Sequence, residues 1–245
     1  MAIPGLEKRL FSFIHQKSHK MKKERYNIFN KCHKGLRCLV LEAWAKTNKC
    51  DFMSTSEVND CIVTLLKAIR YYIYHIRRGN MIIHSAINPV APYIVTLLEK
   101  INAKGIEVAS SIEYKIYQFN TESQGKGIID FGIELQSSIF SFTSIVVQHI
   151  KKEETVLNEL LWQNFTDCEL FELEVKIMSN FVPEEKEWFN NQVMKCLDDN
   201  EIAKWIDHVL SFGNAYDADL LMESTRSALS ESRWQIISRN IMQRA

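Results

Sequence analysis

Residues 128–163 read IIDFGIELQSSIFSFTSIVVQHIKKEETVLNELLWQ. Ile133, Leu135, Ile139, Phe142, Ile145, Val146, Ile150, Leu157 and Leu161 recur at helical spacing and give a wide apolar face, so one long helix is expected. His149 and Glu153 lie four apart within it, on one face. Ile145, Val146, Val156 and Leu157 share that face, which points the pair inward. A buried imidazole beside a carboxylate needs a compensating interaction. A metal would supply one, and a plain ion pair at the bundle edge is the alternative.

Working outward, the same spacing recurs. Segment 24–47 carries Ile28, Leu36, Leu39, Val40 and Ala43, and segment 57–78 carries Val58, Ile62, Leu65, Leu66, Ile69, Tyr72 and Ile73. Ser54 or Ser56 is placed to cap the latter, and Arg77-Arg78-Gly79-Asn80 to weaken its end, after which the apolar run Met81–Ile87 either continues the helix or forms a short extension. Pro89 and Pro92 break the chain before a helical segment at 93–119. Residues 121–127 read as a loop. Beyond residue 165 shorter segments follow: 168–180 capped by Asp167, 184–197 opened by Pro183, 200–212, and a tail from about 216 to 243. The expectation is an all-α protein with a four-helix bundle over 24–165 and a helical extension over 166–245 packed on it.

Bulk composition agrees. Only 8 Gly and 4 Pro interrupt 245 residues, and 46% of them are hydrophobic. Lys plus Arg and Asp plus Glu are both 30, so no whole-protein field draws the chain to nucleic acid. No apolar run of about 18 residues exists, so no transmembrane segment is expected. The six cysteines form no CxxC pair and most read as buried small side chains of a reducing compartment, the cytosol first and the nucleus second. Residues 1–23 are basic and amphipathic. The expectation is a helix docked on the bundle, with a membrane-surface or transit role as the alternative.

His75 continues the stripe of segment 57–78, and His33 lies one turn before Leu36 and Arg37. Three histidines on three bundle helices suit a metal site, because bundle interiors build such sites from facing side chains. Cys32 adjoins His33, and adjacent helical residues are expected to point apart.

These stretches resemble the hemerythrin-like domains of the BRUTUS-type iron-regulated ubiquitin ligases of plants. The resemblance is carried by Cys32-His33-Lys34-Gly35-Leu36-Arg37, by Ile69–His75, by Ser111-Ile112-Glu113-Tyr114-Lys115 and, most closely, by Gln148–Phe165. Phe181-Val182-Pro183 and Met194-Lys195-Cys196-Leu197 add to it, so that it covers roughly residues 24–210. It implies an up-down bundle with a metal site between the helices, in which His33, His75, His149 and Glu153 match ligands. Two positions depart from the family's di-iron set: Gly79 stands where the second helix would supply a glutamate, and Tyr114 where the third would supply a histidine.

The resemblance therefore implies one iron or none. His33, His75 and Glu153 would serve one ion, a two-histidine, one-carboxylate set. His149 would act as ligand, acid or base, and Tyr114 as ligand, proton donor or filler. The first functional expectation is a metal-responsive or ligand-binding module, taking a small molecule or a protein partner. The second is an enzyme repurposed in plant specialised metabolism, with His149, Tyr114 and Glu153 carrying acid–base or oxidative chemistry in the former metal cavity. The third is a scaffold that kept only the bundle.

Overall fold

The computed structural model describes residues 25–122, 127–213 and 215–242, and among them every regular element is helical. The basic segment expected over 1–23 lies outside the described residues. Four long helices come first: α1 (Asn30–Lys49), α2 (Thr55–Gly79), α3 (Pro92–Glu122) and α4 (Ile128–Lys152). The helix α1 packs on α2 and α4, and α3 packs on α2 and α4, so the four close a ring around one core.

The burial pattern explains the ring. On α4, Gly132, Leu135, Ile139, Phe142, Val146 and His149 are buried. They lie three and four residues apart, which keeps one stripe on the axis of the bundle. On α1 the stripe is His33, Leu36, Val40, Ala43 and Thr47. Large side chains such as Phe142 and Tyr72 are fully buried, and truncating one of this size costs about 3–5 kcal/mol.

Two of the three helices that carry the histidines, α2 and α4, run on through π-helical turns. Asn80–His84 extends α2 before a last turn at Ser85–Ile87, and Glu153–Leu157 extends α4 into α5 (Asn158–Asn164). The helix was expected to weaken at Arg77–Asn80, with Met81–Ile87 continuing it or forming a short extension; it continues, as a wider helix. One extra residue per turn is the usual way to re-aim side chains without ending a helix.

The C-terminal part folds as α6 (Asp167–Ser179), α7 (Pro183–Met194), α8 (Asp199–Phe212), α9 (Ala215–Ala228) and α10 (Glu231–Met242). The tail read as one segment from 216 is thus two helices. Asp167 is not the cap of α6. Thr166 is, in a reciprocal pair with Glu169, and Asp167 is the first helical residue. Pro183 does open α7. Val193, Met194, Ile202 and Ile206 join the same apolar cluster as Leu36 and Tyr71, so the extension shares the core of the ring. No described helix is long and apolar enough to cross a membrane.

Candidate metal centre

His33 on α1, His75 on α2, His149 on α4 and Glu153 at the start of the π turn meet at one end of the ring. Glu153 is the hub. Its Oε2 lies 2.9 Å from His33 Nε2, 2.9 Å from His75 Nε2 and 3.1 Å from His149 Nε2. His75 Nε2 and His149 Nε2 are 3.1 Å apart. His33 and His149 are fully buried and Glu153 is 5% exposed. The ligand atoms of His75, His149 and Glu153 all lie within 4.8 Å of one another, a spacing that can hold a metal ion.

A second ring of contacts orients the first. His33 Nδ1 donates to Glu154 Oε1 at 3.0 Å, and Arg37 holds the other oxygen of Glu154 at 2.5 Å. That bond places a proton on Nδ1; with both nitrogens protonated the ring also donates from Nε2 to Glu153, and a neutral ring presents the Nε2 lone pair to a cation there. Cys32 comes to the other side of His75, and its sulfur joins His33 and His75 in a second close group. The expectation that Cys32 and His33 point apart is thereby corrected. Neighbours on a helix differ by about 100°, and His75 sits between the two.

Charge follows the geometry. Burial acts to raise the Glu153 carboxyl, but the charges of His149 and His75 overcome it and hold the group well below the usual carboxylate range. Burial acts to lower His75, while the Glu153 charge and the Cys32 sulfur raise it to about 9. Burial acts to lower His33 too, but its hydrogen bonds to Glu153 and Glu154, together with the charges of those carboxylates, outweigh it and raise the ring.

Tyr114 is not in this cluster. It is 60% exposed on the outer face of α3, two residues past the buried Ile112, and therefore about 200° around the helix. Its proposed roles as ligand, proton donor or filler are withdrawn. Tyr72 of α2 lies there instead, edge-on to His149 with ring centres 5.7 Å apart. Its hydroxyl is buried without a hydrogen-bond partner, as is His149 Nδ1. His84, at the end of the first π turn, is 5% exposed, has both ring nitrogens unpaired, and feels the charges of Glu153 and His149.

Gly79 borders a hollow of about 50 Å³ whose walls include Cys32 and His75. A Cβ built on Gly79 meets nothing within 4 Å. The space beside Gly79 is therefore open. Comparison with family models, with curated proteins and with solved structures gives no match.

Proposed function

We propose that this chain is a metal-binding helical module, a hemerythrin-like bundle whose two-iron set is reduced to one ion held by His75, His149 and Glu153 with His33 beside them. The observation that carries the reading is the convergence of three imidazole nitrogens on one carboxylate oxygen. Protons alone do not satisfy it. His75 Nε2 and His149 Nε2 face each other and also face Glu153 Oε2, and a ring nitrogen carries one N–H with one direction. One of these three contacts is therefore left uncompensated. A cation between the atoms satisfies all of them.

Spacing supports an ion with right-angled ligands. Atoms about 2.1 Å from one ion stand about 3.0 Å apart at right angles and about 3.4 Å apart in a tetrahedron. The contacts here are 2.9–3.1 Å. Imidazole and carboxylate ligands in that geometry suit Fe(II) or Mn(II) ahead of zinc. Glu154, Arg37 and Cys32 supply the outer contacts that fix His33 and His75.

The test is elemental analysis of protein purified anaerobically without chelator or histidine tag. About one first-row metal per chain is expected, lost in a His75→Ala/Glu153→Ala variant that keeps its helical circular dichroism. Two irons per chain, or equal metal in the variant, would overturn the reading.

A second reading, an enzyme acting on a small molecule, is favoured by the hollow that reaches His75 past Gly79. It rests on His149 and Glu153 as acid–base groups without Tyr114. His149→Ala should then abolish turnover with the fold intact, and an unchanged rate would remove it.

A further inference from the structure

The outer face of α4 carries large apolar side chains that no part of the described chain covers. Ile129, Ile133, Phe140 and Val147 range from 47% exposed at Val147 to 65% at Phe140. They are four, seven and seven residues apart, so all lie within about 40° of one line along the helix. That line is turned about 120° from the buried row of Leu135, Ile139, Phe142 and Val146. Gln136, on the same side, donates to the Thr47 carbonyl at 3.2 Å, so this side of α4 borders α1. On α1, Arg37 reaches across to Glu154, and Leu41 and Trp44, four and seven residues further on, repeat its direction. Both are exposed. His33 meets Glu153 while Thr47 meets Gln136, so the two helices run antiparallel and Trp44 stands about level with Phe140. Six large side chains, each about half exposed, make one apolar strip on the order of 500 Å². Single exposed apolar residues are ordinary, but a contiguous patch of that size marks an interaction surface.

The strip is complementary to itself. Phe140 lies midway between Ile133 and Val147, seven residues from each. Turned end for end about Phe140, Ile133 of one copy falls on Val147 of another, and Phe140 on Phe140. Ser137 and Ser144 are exposed between them, and their small side chains let a second helix approach. The spacing 133, 137, 140, 144, 147 is the alternation of fours and threes that forms the seam of a helix pair. Charge obeys the same turn. Asp130 is exposed just before the strip and Lys151 just past it, and neither has an ion-pair partner among the described residues. End for end, Asp130 of one copy comes within one residue's rise, about 1.5 Å, of the level of Lys151 of the other. A parallel pairing would instead set Asp130 on Asp130 and Lys151 on Lys151, which repel.

We propose that the outer strip of α4, with Leu41 and Trp44 of α1, is the interface for a second copy of this chain, paired antiparallel about a two-fold axis at Phe140. A two-fold contact uses the same patch on both copies and closes on itself, so it yields a dimer and no filament. Phe140 and Trp44 of each copy stand at its centre, where aromatic side chains contribute most to binding. The polar flanks bring the buried area toward the about 800 Å² per partner of a standard interface. No residue of the strip lines the hollow beside His75, so pairing leaves that approach open. The interface does not depend on metal.

The test is sedimentation equilibrium of the full chain from about 1 to 100 μM, the range in which a contact of this size holds. A reversible two-chain species is expected. Phe140→Asp and Ile133→Asp should each raise its dissociation constant at least about thirtyfold, the effect of losing a central anchor. Both side chains face outward, so circular dichroism and melting temperature of the separated chains should not change. Tyr216→Asp, on a comparably exposed ring of α9, should leave pairing unaltered. Asp130→Lys or Lys151→Asp alone should weaken pairing about tenfold by setting like charges together at both ends. The double reversal Asp130→Lys/Lys151→Asp should restore it, since each pair reforms with its sense exchanged. A chain that stays single up to about 100 μM would overturn the proposal. So would a dimer that Phe140→Asp and Ile133→Asp leave intact, or a double reversal that fails to restore pairing. A single chain that melts lower when Phe140→Asp is introduced would also overturn it, by assigning the strip to residues 1–24 of the same chain.

Discussion

Replacing Glu153 by glutamine keeps the shape of the hub and removes its charge. In the native chain one oxygen of Glu153 stands within 3.1 Å of three imidazole nitrogens, at 5% exposure. A charge-assisted hydrogen bond contributes about 1 kcal/mol more than a neutral one, so three contacts put the loss near 3 kcal/mol. Removing one partner of a buried ion pair typically costs about 3–5 kcal/mol, which agrees. For a domain of this size each kcal/mol moves the melting temperature by about 2–4 °C, so Glu153→Gln should melt roughly 6–12 °C below the native chain. The assay is thermal unfolding by circular dichroism, once in chelator and once with Fe(II) or Mn(II) in excess. Metal at about a hundred times its Kd should add about 2.7 kcal/mol to the native chain and much less to the variant. Glu154→Gln is the comparator. Its side chain is 29% exposed and holds one nitrogen of His33, so its loss should be smaller. The reasoning is refuted if Glu153→Gln melts within about 2 °C of the native chain in both conditions.

Three further outcomes are expected. In Gly105→Ala the new Cβ would stand 1.8 Å from Tyr72 Oη, and overpacking of that kind costs about 1–3 kcal/mol against a helix-propensity gain of about 1. A urea melt should show a net loss, partly recovered when Tyr72→Phe is added, and a gain in stability would contradict the contact. Asp198 caps α8 by accepting from the Glu201 N–H at 2.9 Å, a bond that holds its carboxyl below the ordinary range. A lowered carboxyl contributes stability above its unfolded pKa and loses it as pH falls through the folded one, so Asp198→Ala should cost about 1 kcal/mol at neutral pH, with the difference shrinking below about pH 4. Tyr114→Phe should leave metal content and melting temperature unchanged, because that ring is 60% exposed, and a loss of metal would return it to the site.

Periodicity carried most of the fold, and it also held the correction to Tyr114. The buried residues of α3 include Leu98, Asn102, Gly105, Ala109, Ile112 and Ile116, a stripe of threes and fours that leaves 114 outside it. The phase of the stripe was legible, and alignment to a motif outweighed it. His33, His75, His149 and Glu153 were legible because each continues an apolar stripe where an ionisable group is out of place. Glu154 was not, since it adjoins Glu153 and reads as its solvated neighbour; only the partner helix, through His33 and Arg37, gives it a role. His84 was not either. The apolar run Met81–Ile87 left continuation of the helix open, but the π turn that carries His84 inward has no distinct sequence signal.

The energetics of the cluster bear on whether it is a remnant. Burying a carboxylate and three imidazoles costs desolvation, and exchanging a buried polar group of this kind for apolar side chains is often neutral or stabilising by about 1–4 kcal/mol. A bundle kept only as a scaffold gains by that exchange, most easily where space is already open. At Gly79 a Cβ would meet nothing within 4 Å, yet the hollow beside His75 remains. His33 is held from behind by Glu154, itself held by Arg37, and the Cys32 sulfur lies close to His75, while His149 Nδ1 has no such partner. Those outer contacts fix ring direction, which a packed remnant does not need and a metal ligand does. The same two features, fixed rings and an unfilled approach to one of them, are what an ion with a vacant coordination position requires, and this weighs for the metal-binding reading over the scaffold.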